Sequence, residues 1–277
     1  MEVAGKSVLL TGATGGIGRA IARILAERGA SLVLSARNAD ALQGLADSLP
    51  GEHRVVAADL GVEGGAERLG ADAGQVDCLI ANAGLPATGS LESFSQEELT
   101  RALRINLEVP MVLARALAPS IRTRGEGHLV FISSLAGKAP SPRSAVYCAT
   151  KFGLRGFALS LRADLAGSGV GVSLVVPGFI REAGMFADSG AKPPAGLGTS
   201  TPDEVAAAVV RAIERDKVEV AVAPRRQRAL AHFALVSPRV AMRTITGGAA
   251  RLRVAGPGRR RGGGSLDRWR SRARACS

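Results

Sequence analysis

Tyr147 is the only tyrosine in the 277-residue chain, and Lys151 follows it by four positions in AVYCATK. A free phenol ionises at about 10 and exchanges protons poorly near neutrality. On a helix, residues i and i+4 share one face. An ammonium there favours phenolate, so the spacing predicts a tyrosine drawn towards neutrality and fit to act as a general acid and base. Ser134 stands thirteen residues before the tyrosine, with Ser133 beside it.

A second chemical signal lies near the N-terminus, where VLLTGATGGIGRAIARIL sets a glycine-rich turn between an apolar strand and an amphipathic helix. Gly12, Gly16 and Gly18 are spaced G-x-x-x-G-x-G. Bare backbone lets phosphates approach, and a helix N-terminus offers free N–H groups and a positive dipole end. Tight turns also use glycine for purely conformational reasons; the position after a first strand and before a long helix favours nucleotide. The second strand ends in SLVLSARN, with Ala36 and Arg37 where a ribose-binding acid would be sought. A guanidinium suits a 2′-phosphate, so the reading is NADP(H), with an ordinary surface arginine as the competing account of Arg37.

These groups need a scaffold that brings distant segments together. Candidate strands at 7–10, 31–35, 54–58, 78–81, 128–133, 171–176 and 218–223 alternate with candidate helices near 16–28, 39–48, 63–72, 96–122, 145–167 and 202–215. Seven strands with helical crossovers predict an α/β doubly wound parallel sheet. The composition, 46% hydrophobic and 22% charged, agrees with one large domain or two small ones.

With those elements placed, the chain resembles the short-chain dehydrogenase/reductase family over roughly residues 5–223. The matching pieces, in family order, are TGATGGIG (11–18), Asp59-Leu60, Asn82-Ala83-Gly84, Asn106, Ser134, Tyr147-x-x-x-Lys151 and Pro177-Gly178. The resemblance implies a Rossmann-like catalytic domain (1–223) and an alcohol–carbonyl oxidoreductase using NADP(H). Tyr147 would be the acid/base and Ser134 the holder of the substrate oxygen. Lys151 would bind the nicotinamide ribose, and Asn106 would anchor a water in a proton relay. The implied cofactor set is Gly12, Thr14, Gly16, Ile17, Gly18, Arg37, Asp59, Leu60, Asn82, Ala83, Gly84, Tyr147, Lys151, Pro177, Gly178 and the backbone of Ile180. Read alone, Asn106 ties helix backbone to a strand, Asp59 caps a helix, and Asn82 and Gly84 shape a turn. Cys148, a helix neighbour of Tyr147, points about 100° away and packs.

The sequence departs from the family after strand six, where PGFIRE puts Glu182 in place of a threonine. Either the loop turns that carboxylate outward or Arg181 pairs with it. Residues 181–201 occupy the place of a substrate lid, and Met185 and Phe186 offer apolar surface there. The expected substrate is an apolar carbonyl or alcohol such as a steroid, retinoid, acyl-chain or xenobiotic ketone.

Beyond the last strand, residues 224–246 predict a helical extension. Leu230, Phe233, Ala234 and Val236 form a stripe opposite Arg225, Arg226 and Arg228, and Pro238 interrupts the helix. The stripe suits a membrane surface, but a helix packed on the domain or a partner subunit is the preferred reading. Residues 247–277 hold nine arginines and one acid, so a net +8 of the chain's +12 sits there. Their Arg/Gly-rich composition predicts a disordered tail. Nucleic-acid binding through that tail ranks last, since no base-reading motif accompanies it. Three scattered histidines and three cysteines (Cys78, Cys148, Cys276) show no metal spacing. The chain opens without a secretory pattern, so a cytoplasmic homodimer or homotetramer is expected. A non-catalytic dinucleotide sensor on the same fold is the alternative.

Overall fold

The computed structural model describes residues 1–182 and 196–243. The elements run β1 (Ser7–Thr11), α1 (Gly16–Glu27), β2 (Ser31–Ala36), α2 (Ala39–Asp47), β3 (Arg54–Ala57), α3 (Gly65–Asp72) and β4 (Cys78–Ala81). There follow α4 (Gln96–Leu103), α5 (Val109–Arg124), β5 (Gly127–Ile132), α6 (Ala145–Asp164), β6 (Val170–Pro177), α7 (Pro202–Glu214), β7 (Glu219–Val222) and α8 (Arg225–Val236). The strands form one parallel sheet in the order β3-β2-β1-β4-β5-β6-β7. The order reverses between β1 and β4, which opens a crevice at the C-terminal ends of the strands.

Burial explains why these runs became strands. Every residue of β4 and of β5 is buried, as expected of strands covered on both faces. Successive side chains then supply opposite cores. Val8 and Leu10 join Ile21, Leu25, Leu42, Val205 and Ile213 under α1, α2 and α7. Leu9 joins Leu69, Leu113, Leu117, Phe131 and Leu154 under α3, α5 and α6. Phe131 and Phe157 lock strand to helix edge-to-face, with centroids 5.6 Å apart.

Two elements differ from expectation. The helix predicted over 96–122 is interrupted by a π-helical turn at Arg104–Glu108. Pro110 has no N–H to return to the Asn106 carbonyl, so the regular ladder cannot run through this point. In α8 the predicted stripe is mostly turned outward. Gln227, Ala231 and Ala234 are buried, whereas Leu230, Phe233 and Val236 are exposed. Helical backbone stops at Val236 and resumes over residues 238–243, with Pro238 in the first turn, where proline is tolerated. The arginine-rich tail and the apolar pair Met185 and Phe186 lie outside the described residues.

Candidate active site

Because all seven strands are parallel, the ends of β1, β4, β5 and β6 share one edge, and the sequence-derived residues gather there. The turn after β1 is built around glycine. Gly12 takes φ +65°, and a Cβ on it would stand 2.9 Å from Ala83 Cα. A Cβ on Gly18 would stand 2.1 Å from the Gly12 carbonyl oxygen. Here helix packs directly on turn, and only glycine fits. Gly16, Thr14 and Ile17 complete the turn, half-buried. The N-cap of α1 is Gly15, with no side-chain cap and no acid in the first turn. By contrast Asn38 caps α2, and Ser95–Glu98 and Thr201–Glu204 form capping boxes on α4 and α7. The α1 terminus thus keeps donors and dipole for an anion.

Asn82 fastens this turn to β4. Its Nδ2 donates to the carbonyls of Thr11 at 3.0 Å and Gly12 at 3.1 Å. Thr11, which the sequence reading passed over, is buried, and its Oγ1 accepts from the N–H groups of Asn82 and Ala83 at 3.1 and 3.0 Å. The signal was present in the hydroxyl that opens TGATGGIG. Both roles weighed for Asn82 therefore begin with turn-building, and Gly84 follows half-buried.

At the neighbouring strand ends, Arg37 is exposed and makes no ion pair among the described residues. Asp59 is exposed too, with Oδ1 accepting from Gly61 N–H at 2.7 Å. It closes a local turn and does not cap α3, whose N-cap is Gly64. Leu60 beside it is buried.

Asn106, within the π-helical turn, is buried. It clamps Leu85 from both sides, accepting its N–H at 2.7 Å and donating to its carbonyl at 3.0 Å. Its Nδ2 also lies 3.5 Å from Thr150 Oγ1, which donates to the Tyr147 carbonyl at 2.8 Å. Asn106 is thus a tie between the loop after β4 and the helix carrying the tyrosine.

Ser134 and Ser133 divide their work. Ser133 is buried, its Oγ 3.4 Å from the Lys151 carbonyl. Ser134 is half-buried, caps a short turn by accepting from Ala136 N–H, and lies near enough to the Tyr147 phenol to pull its pKa down. Tyr147 is half-buried, and burial pushes its phenol up to about 12 against the downward pull of Ser134. Lys151 Nζ is buried, donates to the Ile132 carbonyl at 2.9 Å and lies 5.8 Å from the centre of the tyrosine ring. Burial pushes it down to about 8. The expectation of a phenol lowered by its lysine therefore does not describe the free protein. The ammonium faces the ring, and desolvation disfavours the charged form of both groups. A cationic nicotinamide is the kind of charge that would reverse this for the phenol, so donor set and electrostatics fit such a cofactor.

Beyond β6, Pro177 is buried, Gly178 half-buried and Ile180 buried. Ile180 bridges Ser200, with Arg181 N–H donating to Ser200 O and Ser200 N–H to Phe179 O, both at 2.9 Å. In that pairing the N–H and C=O of Ile180 itself point away from Ser200, and neither is bonded among the described residues. Glu182 is turned outward at φ +73° and also pairs with Arg181 at 2.8 Å, so both routes weighed for it operate together. Cys148 is buried by packing.

An uncapped helix start, a phenol with a serine near it and a buried ammonium on one sheet edge are the groups a dinucleotide-dependent oxidoreductase would need. Residues 6–194 match the family model described as short chain dehydrogenase, and the chain belongs to that family. It is 37% identical over 228 residues to the ketoacyl reductase HetN of Nostoc sp., covering 79% of this chain and 78% of that one. It is 33% identical over 181 residues to the 3-oxoacyl-[acyl-carrier-protein] reductase FabG of Rickettsia felis, covering 65% and 75%. A metagenomic short-chain oxidoreductase solved in complex with NADP superposes with a TM-score of 0.69 at 34% identity, covering 80% of this chain and 98% of that one. Among the described residues no helix is long and apolar enough to cross a membrane, and no cluster could hold a metal ion.

Proposed function

We propose that this protein interconverts a secondary alcohol and a ketone on an apolar small molecule with NADP(H). The observation that carries the reading is Tyr147, half-buried at the sheet edge, with Ser134 close enough to draw its pKa down and buried Lys151 Nζ 5.8 Å from the ring centre. When bound, the nicotinamide supplies or accepts the hydride. In reduction the Tyr147 phenol gives its proton to the carbonyl oxygen while Ser134 Oγ donates a hydrogen bond to that oxygen. Oxidation reverses both. Lys151, one of whose donors is held by Ile132, has others left for a ribose hydroxyl.

Arg37, which makes no ion pair among the described residues, favours a 2′-phosphate, and the NADP complex of the metagenomic relative supports the same choice. The names of two relatives make a 3-ketoacyl chain the first substrate class to try. A second copy of the chain is the expected partner. Exposed Met111 and half-buried Phe157 line a groove between α5 and α6 on the outer face.

Titrating NADPH and NADH by nicotinamide fluorescence, beside Arg37→Ala, tests the cofactor. NADPH should bind about tenfold tighter, with the gap closing in the variant. Consumption of NADPH by a long-chain 3-ketoacyl thioester, abolished in Tyr147→Phe, tests the reaction. Folded protein that binds neither nucleotide would overturn the proposal.

A further inference from the structure

Gln227 lies on α8, outside the set of residues singled out by the sequence, and is 4% exposed. Its side-chain amide touches both described stems of the connection between β6 and α7, one directly after β6 and one directly before α7. On one stem, Oε1 accepts from Phe179 N–H at 3.4 Å. On the other, Nε2 donates to the carbonyls of Leu197 at 3.1 Å and Gly198 at 2.8 Å. The contact is close enough to dictate its neighbour. A Cβ on Gly178 would stand 2.1 Å from Gln227 Oε1 and 2.9 Å from Ala223 Cβ. The two stems also bond each other through the Ile180–Ser200 bridge. Gln227 therefore holds the residue before Ile180 and the residues before Ser200, the two sides of the pairing that aims the N–H and C=O of Ile180, neither of which is bonded among the described residues.

We infer that Gln227 is a positioning residue for the nicotinamide half of the cofactor, acting from the C-terminal helix through the backbone of Phe179 and Ile180. The inference rests on the functional reading above. A glutamine suits the position because it presents one acceptor and two donors in a fixed plane, matching one N–H and two carbonyls. A leucine of similar volume would make none of these three hydrogen bonds and would release both stems from α8. The adenine end of the cofactor site, at Arg37 and Asp59, shares no contact with Gln227. The two halves can therefore be read separately.

The test compares wild type, Gln227→Leu and Gln227→Glu, each shown to be folded by circular dichroism. Two probes are titrated: NADPH, which has both halves, and adenosine 2′,5′-bisphosphate, which lacks the nicotinamide. Gln227→Leu should lose about tenfold in NADPH affinity, with the bisphosphate unchanged and kcat lowered. Gln227→Glu should match the leucine variant at about pH 8. It should recover towards wild type, measured at the same pH, at about pH 5, where a buried carboxylic acid is neutral and again offers one donor and one acceptor. Equal weakening of both probes, or of neither, would overturn the inference while leaving the functional reading intact. Wild-type protein that binds neither probe would instead remove the functional reading, and this inference with it.

Discussion

At the N-terminal edge of the sheet, His128 on β5 is buried with Nε2 2.7 Å from Ser173 Oγ on β6. The serine has one hydrogen and lies 2.5 Å from the Lys217 carbonyl, so the imidazole donates and Ser173 passes the bond on. Burial holds His128 neutral, pushed down to about 4. Next to it Asp216 takes both prongs of Arg162 at 2.8 and 2.7 Å. At the opposite edge, Lys151 is equally buried, yet among the described residues it has one carbonyl and no carboxylate. Tyr147 beside it is held far from its ordinary ionisation. One edge answers its buried imidazole with a hydroxyl and its guanidinium with a carboxylate. The other leaves charge and donors unanswered where substrate and cofactor would supply the missing partners, as sites of chemistry do.

The largest test of that contrast is Tyr147→Phe. Turnover should fall by about 10³-fold, with the thermal midpoint held; a retained rate would remove the tyrosine from the reaction. His128→Leu should do the reverse. Loss of a buried hydrogen-bond donor should destabilise the fold by about 2 kcal/mol in denaturant melts and leave NADPH affinity alone.

Lys151→Met sharpens the comparison through pH. Lys151 is pushed down to about 8 from 10.5. Below pH 8 the native state carries a buried cation that the unfolded chain solvates freely. Through the window from about 8 to 10.5 the native state sheds this proton first, so native stability rises with pH. The methionine variant should therefore be more stable by on the order of 1–2 kcal/mol near neutrality, with the gain fading towards pH 10.5, and it should be inactive. A gain independent of pH would contradict the account. Smallest is Arg37→Ala, expected to cost NADPH about tenfold and NADH nothing.

Much of the frame was legible because it is local. The unbroken apolar runs of β4 and β5 and the glycine turn identify themselves, while the thirteen-residue separation, read through the family resemblance, is what proposes Ser134 over Ser133. What escaped depends on distant chain. Nothing near Thr11 says that its hydroxyl will meet the N–H groups of Asn82 and Ala83, and nothing in RRQRALAHF says which face of α8 turns inward. The phenol's shift was misjudged for the same reason. The i,i+4 spacing sets Lys151 near the ring, whereas burial, a property of the assembled core, sets which way the pKa moves. The π-helical turn was the exception, since Pro110 stood in the sequence as its cause.

With one tyrosine in the chain, tyrosinate absorbance reads the proposed catalytic acid alone. A stopped-flow alkaline jump, faster than unfolding, should place Tyr147 near the value of about 12 in free protein. Saturating NADP⁺ should move it down, because a cationic nicotinamide favours phenolate. A midpoint at the ordinary phenol value of about 10, indifferent to bound nucleotide, would contradict the account.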